Sequence, residues 1–363
     1  MSKLVLTQEH VEAALIGGCF LGGGGGGSMA KGRALAEKAL AVGTLTMISA
    51  DEIGDDAVLL TSSAVGAPAA KDAYAAPDTA TRVVELLERV GVGKPGGLIT
   101  NENGGGSTFN GWLPAAASGL PFVDLPCNGR AHPTGMMGGA ALHRDKNYVS
   151  YQAAAGGKRE NGTYIESVFI GSMESASALV RQSAVRAGGL VSVARNPITA
   201  GYAKKFCAPG GVMLAIEVGK KMLEASKRKT DASAEAAADF LGGSVIASGR
   251  VDSIELITEG GFDHGTVNAG GIEMTFWNEF MTADMDGKRL GTFPDLIMTI
   301  DAETGLPVTT AELSKGQNVT VVLVPARNLP LGAGMYCREL MEPVEEIVRR
   351  PILSYFTLEH PYL

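Results

Sequence analysis

The chain has 363 residues, 45% of them hydrophobic, and 39 acidic against 31 basic side chains give a formal net charge of −8. That length exceeds what one hydrophobic core usually sustains, so two packed units are expected. An acidic balance without clustered Lys and Arg excludes a nucleic-acid surface, and the absence of any run of about 18 apolar residues argues against a membrane span.

The N-terminal MSKLVLTQEHVEAAL breaks any apolar run with polar residues, which predicts no signal peptide and a cytoplasmic protein. Cys19, Cys127, Cys207 and Cys337 lie far apart without CxxC pairing, so they read as buried thiols rather than a zinc knuckle or disulfide framework. Glycine is the outlier at 49 residues, placed between patterned apolar segments, as close backbone approaches and tight turns require.

Thr7 is placed to cap a helix whose Val11, Ala14, Leu15 and Gly18 recur at helical spacing, and this helix runs into CFLGGGGGGSMAK. Ser28 caps a second helix, with Met29, Leu35, Ala36, Ala39 and Leu40 on one face and Gly43 as its stop. Strands are expected at 44–50, 57–62, 97–100, 122–125, 148–153 and 164–170, and helices at 79–90, 109–118, 135–143, 174–187 and 211–226. This alternation predicts an α/β layered domain over 1–226, an α/β/α arrangement with a mixed or parallel sheet.

The polar stretch KRKTDAS at 227–233 reads as a boundary. From 244 to 326 the pattern changes to period two, as in RVDSIELI and GIEMTFW, which predicts a smaller antiparallel β-barrel-like domain. The remainder, 327–363, is expected to be a helical tail packing back.

The glycine run lacks the lysine that a Walker-type loop needs after its last glycine, so ATP is disfavoured. Asp51 suits a dinucleotide fingerprint, but a helix rather than a strand precedes the glycines, so NAD is disfavoured as well. The general reading is a polar-ligand pocket made by the backbone of Gly23, Gly24, Gly25, Gly26, Gly27 and Ser28, against the alternative that the glycines serve only close packing. A second glycine-rich turn carries Asn101, Glu102 and Asn103 beyond a strand end, where ligands of open α/β sheets bind; an Asx turn is the structural alternative.

The stretch DLPCNGRAHP is the densest set of chemically able side chains. Asp124 could serve as base or metal ligand, Cys127 as nucleophile or ligand, Arg130 as anion clamp and His132 as general acid or base or ligand. Taken singly they could equally be an ion pair, a packed thiol and a cap. Asp263 and His264 are two adjacent ligand types in a GFDHG turn, too few for a metal site, and His10, His143 and His360 stand alone.

Together GGCFLGGGGGGS, DLPCNGRAHP, GFDHGTV, WNEFMTAD, FPDLIMTIDAETGLPVTTAEL and KGQNVTVVLVPA resemble the DUF917 or S-methyl thiohydantoin desulfurase family across nearly the whole chain. The resemblance implies an α/β domain joined to a β-barrel-like one, and a hydrolase that removes methanethiol from an S-methyl thiohydantoin-like cyclic amide. It also implies association with hydantoinase or oxoprolinase proteins. The family's commoner motif has acids where Pro126 and Thr134 stand here and an aromatic at His132, which leaves a divalent metal open and gives His132 an acid/base opportunity. A non-catalytic ligand-binding or accessory subunit is the competing reading. A homo-oligomer is expected in either case.

Overall fold

The computed structural model describes residues 3–66, 70–230 and 232–363. After β1 (Lys3–Val5), helix α1 (Gln8–Leu21) begins where Thr7 turns extended and its amide donates to His10 Nδ1 at 3.1 Å. Helix α2 (Met29–Val42) starts at Ser28, whose hydroxyl accepts from the Lys31 amide. Both starts follow from an oxygen or nitrogen side chain satisfying an amide that the first turn leaves free.

The first sheet is built from β1, β2 (Thr46–Ile48), β3 (Val58–Gly66), β4 (Gly97–Thr100), β5 (Phe122–Val123), β6 (Ser150–Gly156), β7 (Ile165–Gly171) and β8 (Leu190–Thr199). Their order is β1-β2-β5-β4-β3-β8-β6-β7. The pairs β2–β5, β5–β4 and β4–β3 are parallel, and the remaining pairs are antiparallel, so the sheet is mixed. Helices α3 (Thr79–Leu87), α4 (Trp112–Ser118) and α5 (Met173–Arg186) connect its strands, and α6 (Ala200–Phe206) and α7 (Gly211–Ser226) follow its last strand in the chain, β8. Phe109, Trp112 and Phe122 stack edge to face at its centre, with ring centroids 4.6 and 6.5 Å apart. Helices α1 and α7 touch backbone to backbone. A Cβ on Gly17 would overlap the Ala215 carbonyl, and one on Gly219 would overlap that of Ala13.

Helix α8 (Ala232–Leu241) leads into an antiparallel sheet formed by β9 (Ser244–Glu259), β10 (Phe262–Ala269), β11 (Ile272–Trp277), β12 (Glu279–Met285), β13 (Lys288–Thr292), β14 (Leu296–Asp301), β15 (Pro307–Val308) and β16 (Asn318–Val324). Its order is β13-β12-β11-β10-β9-β16-β14-β15, with the long β9 shared by two ladders. The ladder does not return to β13, so among the described residues the sheet is open where the sequence suggested a barrel. Phe20, Leu21 and Val218 share one buried cluster with Met281, Met298 and Val322, which welds this sheet to α1 and α7. The tail packs back through α9 (Glu342–Val348), with Met341, Val344 and Ile352 in that same cluster.

Several expectations shift. The predicted helix at 135–143 is a series of turns ending in a short 3-10 segment, Leu142–Arg144, with Ala140 and Ala141 at positive φ. Gly138 lies against the His132 ring and Gly139 against Met173, so these glycines serve close contact rather than a helix. Of the stretch 227–233, Ala232 and Ser233 open α8, and Asp231 lies outside the described residues. Asp263 and His264 belong to β10, not to a turn.

Candidate active site

Two loops leave the carboxyl ends of the parallel strands β4 and β5 and pack against one another. The Asn101 amide donates to Ser62 O at 3.1 Å, Cys127 to Thr100 O at 3.0 Å and Asn128 to Asn101 O at 3.0 Å, so the ladders continue past β4 and β5. The glycine run lies across them as a bare strip of backbone. On one side the carbonyls of Gly23 and Gly24 accept from the amides of Phe280 and Thr310 at 2.8 and 2.9 Å. On the other side the Gly26 carbonyl takes three donors: the amides of Gly106 and Ser107 and the Ser107 hydroxyl, at 3.0, 2.9 and 3.0 Å.

Gly26 has φ of 74°, and a Cβ there would come within 2.6 Å of the Gly104 Cα. Two glycine loops pack face to face at this point because neither carries a side chain. The amides of Gly22, Gly23 and Gly25 are spent on carbonyls of the α1 end and of the run itself, and that of Gly24 donates to Met298 Sδ.

The strip separates two adjoining cavities. An inner one of about 80 Å³ is lined by Gly26, Gly27, Asn101, Glu102, Ser107 and His132, and by Arg181, Arg195, Asn278 and Glu279. An outer one of about 480 Å³ is lined by Gly24, Gly25, Gly27, Ser28, Tyr74, Thr310 and Glu312. Gly27, Lys31, Leu190 and Asn278 belong to both walls. The outer space has the size of an ordinary small-molecule pocket, and the inner one is its polar end.

At that end Glu102 organises a pair. One carboxylate oxygen accepts the Ser107 hydroxyl at 2.8 Å; the other accepts the His132 amide at 3.2 Å and lies 3.1 Å from His132 Nε2. The ring contact is an ion-pair distance, set at an angle that makes no hydrogen bond, and Nδ1 likewise has no hydrogen-bond partner. Burial pushes the His132 pKa down against the pull of Glu102, so the ring is held neutral.

Glu279 enters from the antiparallel sheet, 1% exposed, with Oε2 unpartnered. Burial first, and the Glu102 charge second, raise its pKa well above the usual carboxylate range, against Arg130 and the Gly26 backbone. Arg195, 2% exposed with an unpartnered Nε, and Arg181, whose guanidinium donates to Gly261 O at 2.8 Å, place positive charge on the same wall. Lys31 stands half-buried at the neck, its ammonium lowered to about 8 by burial. A base that burial keeps from charging, a buried acid whose protonated form is favoured and two guanidiniums form a set suited to moving protons around a polar, uncharged bond.

Of the residues singled out in DLPCNGRAHP, His132 alone lines the cavities. Asp124 caps α7, accepting from the amides of Val212 and Met213 at 2.7 and 3.2 Å. Cys127 packs beneath the site against Thr61 Oγ1 at 3.2 Å. Arg130 is fully buried, donating to Pro294 O at 2.9 Å and to Asp295 O, with its guanidinium 4.7 Å from the Phe293 ring centroid. It pins the loop after β5 to the antiparallel sheet.

Asn103 donates to the carbonyls of Gly129 and Gly211, at 3.1 and 2.7 Å, and holds loops rather than lining the cavity. Asn101 and Glu102 line the inner cavity, Gly24, Gly25 and Ser28 the outer, Gly26 the inner and Gly27 both, while Gly23 faces Arg130 and Leu296. Sequence reasoning missed Lys31, Arg181, Arg195 and Glu279. WNEFMTAD, which contains Glu279, is one of the motifs that carry the family resemblance, and Arg195 interrupts an otherwise apolar strand, LVSVARNPIT.

Away from the cavities, His143, Cys337 and Glu339 bring their donor atoms within 4.8 Å of one another. There Glu339 is gripped by Arg144 at 2.7 and 2.8 Å and by His143 at 3.0 Å.

Models of the S-Me-THD-like N-terminal domain and C-terminal domain match residues 9–167 and 172–330. No curated protein matches the chain. A crystal structure of a protein from Chromobacterium violaceum superposes with a TM-score of 0.68 at 21% identity, covering 95% of this chain and 97% of that one, which shows a shared fold. Between them the two domain models take in the antiparallel sheet, most of the mixed sheet and every residue of the inner cavity, and the chain belongs to the S-Me-THD-like family, the S-methyl thiohydantoin desulfurase type that its motifs resemble.

Proposed function

We propose that the protein hydrolyses a hydantoin-like cyclic amide, with an S-methyl thiohydantoin as the favoured form. The observation that carries this reading is the Glu102–His132 contact of 3.1 Å at the closed end of a cavity that also receives Arg195 and Glu279. The family name supplies the substrate type.

In this reaction water adds to the amidine-like ring carbon, a C–O bond forms and the C–S bond breaks. One water proton ends on the ring nitrogen and the other on the departing methanethiol. His132, beside Glu102, takes the first proton from water as the C–O bond forms and passes it to the ring nitrogen, which leaves the imidazole neutral again. Arg195 and the Asn101 side chain face the adduct and the ring's polar atoms, with the ring seated against Gly26 and Gly27. The 480 Å³ outer cavity holds the ring's substituent.

Methanethiol release from 2-methylthio hydantoin analogues tests the reading. The wild type is expected to turn over, and His132→Asn and Glu102→Gln to lose about 100-fold or more in kcat with unchanged Tm, as removal of a general base does. Saturable binding of these analogues without any thiol release would favour the accessory-subunit reading instead.

A further inference from the structure

We infer that Glu279, delivered by the antiparallel sheet, is the proton donor to the departing sulfur, so that the acid and the base of one reaction come from different halves of the chain. The assignment rests on the hydrolytic reading of the cavity and adds a second participant to it.

The geometry carries it first. Glu279 is the first residue of β12, directly after Asn278, which adopts a left-handed φ of 56°. That turn is pinned: the Asp263 amide donates to Asn278 Oδ1 at 2.9 Å, and the Thr310 hydroxyl donates to Asn278 O at 2.6 Å. The Phe280 amide next door is fixed to Gly23 O at 2.8 Å. The carboxyl is thereby held over the glycine strip, at the spot where Gly25 has no side chain to obstruct it. Its Oε2 is buried and unpartnered. An unpartnered buried carboxyl oxygen on a cavity wall is costly unless something occupies the cavity.

The charges around it decide its protonation. Facing groups are Glu102 from the loop after β4, Arg130 and His132 from the loop after β5, Arg181 from α5, Arg195 from β8 and Lys31 from α2. Arg130 favours the ionised form; its Nε and Nη1 are committed to the carbonyls of Ala131, Pro294 and Asp295, while Nη2 has no partner. Glu102 already accepts the Ser107 hydroxyl and the His132 amide. Ionising two carboxyl groups on one small cavity is disfavoured, and burial with the Glu102 charge favours the proton on Glu279, against Arg130 and the Gly26 backbone.

The step balances. Glu279 transfers its proton to sulfur as the C–S bond breaks, and the electron pair of that bond leaves with the thiol. The adduct's hydroxyl proton, collected by the His132–Glu102 pair as the new carbonyl forms, returns to Glu279 and restores the starting state.

The test compares leaving groups. On S-methyl substrates Glu279→Gln is expected to lower kcat by about 100-fold or more, and on S-aryl analogues, whose thiolates depart without a proton, by less than about 5-fold. His132→Asn is expected to lower both equally. Infrared difference spectra of wild type against Glu279→Gln at neutral pH should show a carboxylic-acid carbonyl band. Equal losses on both substrate series, or a carboxylate band in place of the acid, overturn the assignment. If the wild type releases thiol from no substrate, the hydrolytic reading falls and the donor role with it, while the infrared band still decides separately whether Glu279 holds a proton. Unchanged Tm in Glu279→Gln separates a chemical loss from a folding one.

Discussion

Oε1 of Glu279 occupies the space that a Cβ on Gly25 would need. The contact joins the most conspicuous feature of the sequence, its glycine run, to an acid more than 250 positions downstream. Gly25→Ala is therefore expected to displace the carboxyl without breaking the backbone, since Gly25 is not among the glycines at positive φ. Stability should fall by about 1–3 kcal/mol, the usual cost of overpacking, while kcat falls as far as in Glu279→Gln. Gly26→Ala should be worse for folding, because its neighbour is the Gly104 backbone and its φ is 74°. Thermal denaturation alongside thiol-release assays separates the two.

The pH dependence of turnover follows from two opposite displacements. His132 is lowered by burial and must be neutral to accept a proton, so the acid limb of kcat lies below the ordinary imidazole range. Glu279 is raised by burial and by Glu102 and must be protonated to donate, so activity declines on the alkaline side. The alkaline limb of kcat should vanish in Glu279→Gln. Lys31, lowered to about 8, loses its charge in the same region. Lys31→Arg should shift only an alkaline limb seen in kcat/KM, where a charge at the cavity neck acts on binding.

Asp124 is expected to matter for folding rather than for chemistry. It caps α7 with two amide bonds and lines neither cavity. Asp124→Ala should cost about 1–2 kcal/mol, the loss typical of a helix cap, with turnover per folded molecule retained. Burial raises its carboxyl to about 6, against the pull of the Val212 and Met213 amides. A raised folded value means that the protonated form is favoured in the native state. Its contribution is complete below the ordinary carboxylate value and is lost as pH rises through about 6. Stability relative to Asp124→Asn should accordingly decline between about pH 4 and pH 6, as read by denaturant titration.

Arg130 ties the two halves of the site. Removing its guanidinium leaves the carbonyls of Ala131, Pro294 and Asp295 buried without donors. Arg130→Ala should destabilise by roughly 3–5 kcal/mol, from lost charge-assisted bonds and unsatisfied acceptors together. Arg130→Lys should recover only part of this, since an ammonium lacks the fork that reaches two carbonyls at once. Denaturant unfolding of both variants checks the order.

Much of the framework was legible. Helical periodicity and caps located α1, α2 and α7, and period-two alternation marked the antiparallel half, because one-sided burial writes itself into local spacing. The strand β8 and helix α6 were missed, since the buried Arg195 and Asn196 interrupt the apolar pattern at the place where the site needs them. The turns at 135–143 resembled a helix in composition only; their glycines answer to His132 and Met173, which are distant or out of register in any local window.

By itself the sequence determined the layered class, the family and two of the loops that meet at the site, because glycine runs, strand-end positions and caps act over a few residues. Only the tertiary structure decided which polar side chains face the cavity. Within ten residues of one loop, Asp124 turned to a helix end, Cys127 to the packed interior and Arg130 to the opposite sheet, while His132 met Glu102. The partners that fix those directions, Val212, Thr61, Pro294 and Glu102 among them, come from other elements, and which of them a side chain meets depends on how those elements pack, which no local spacing encodes.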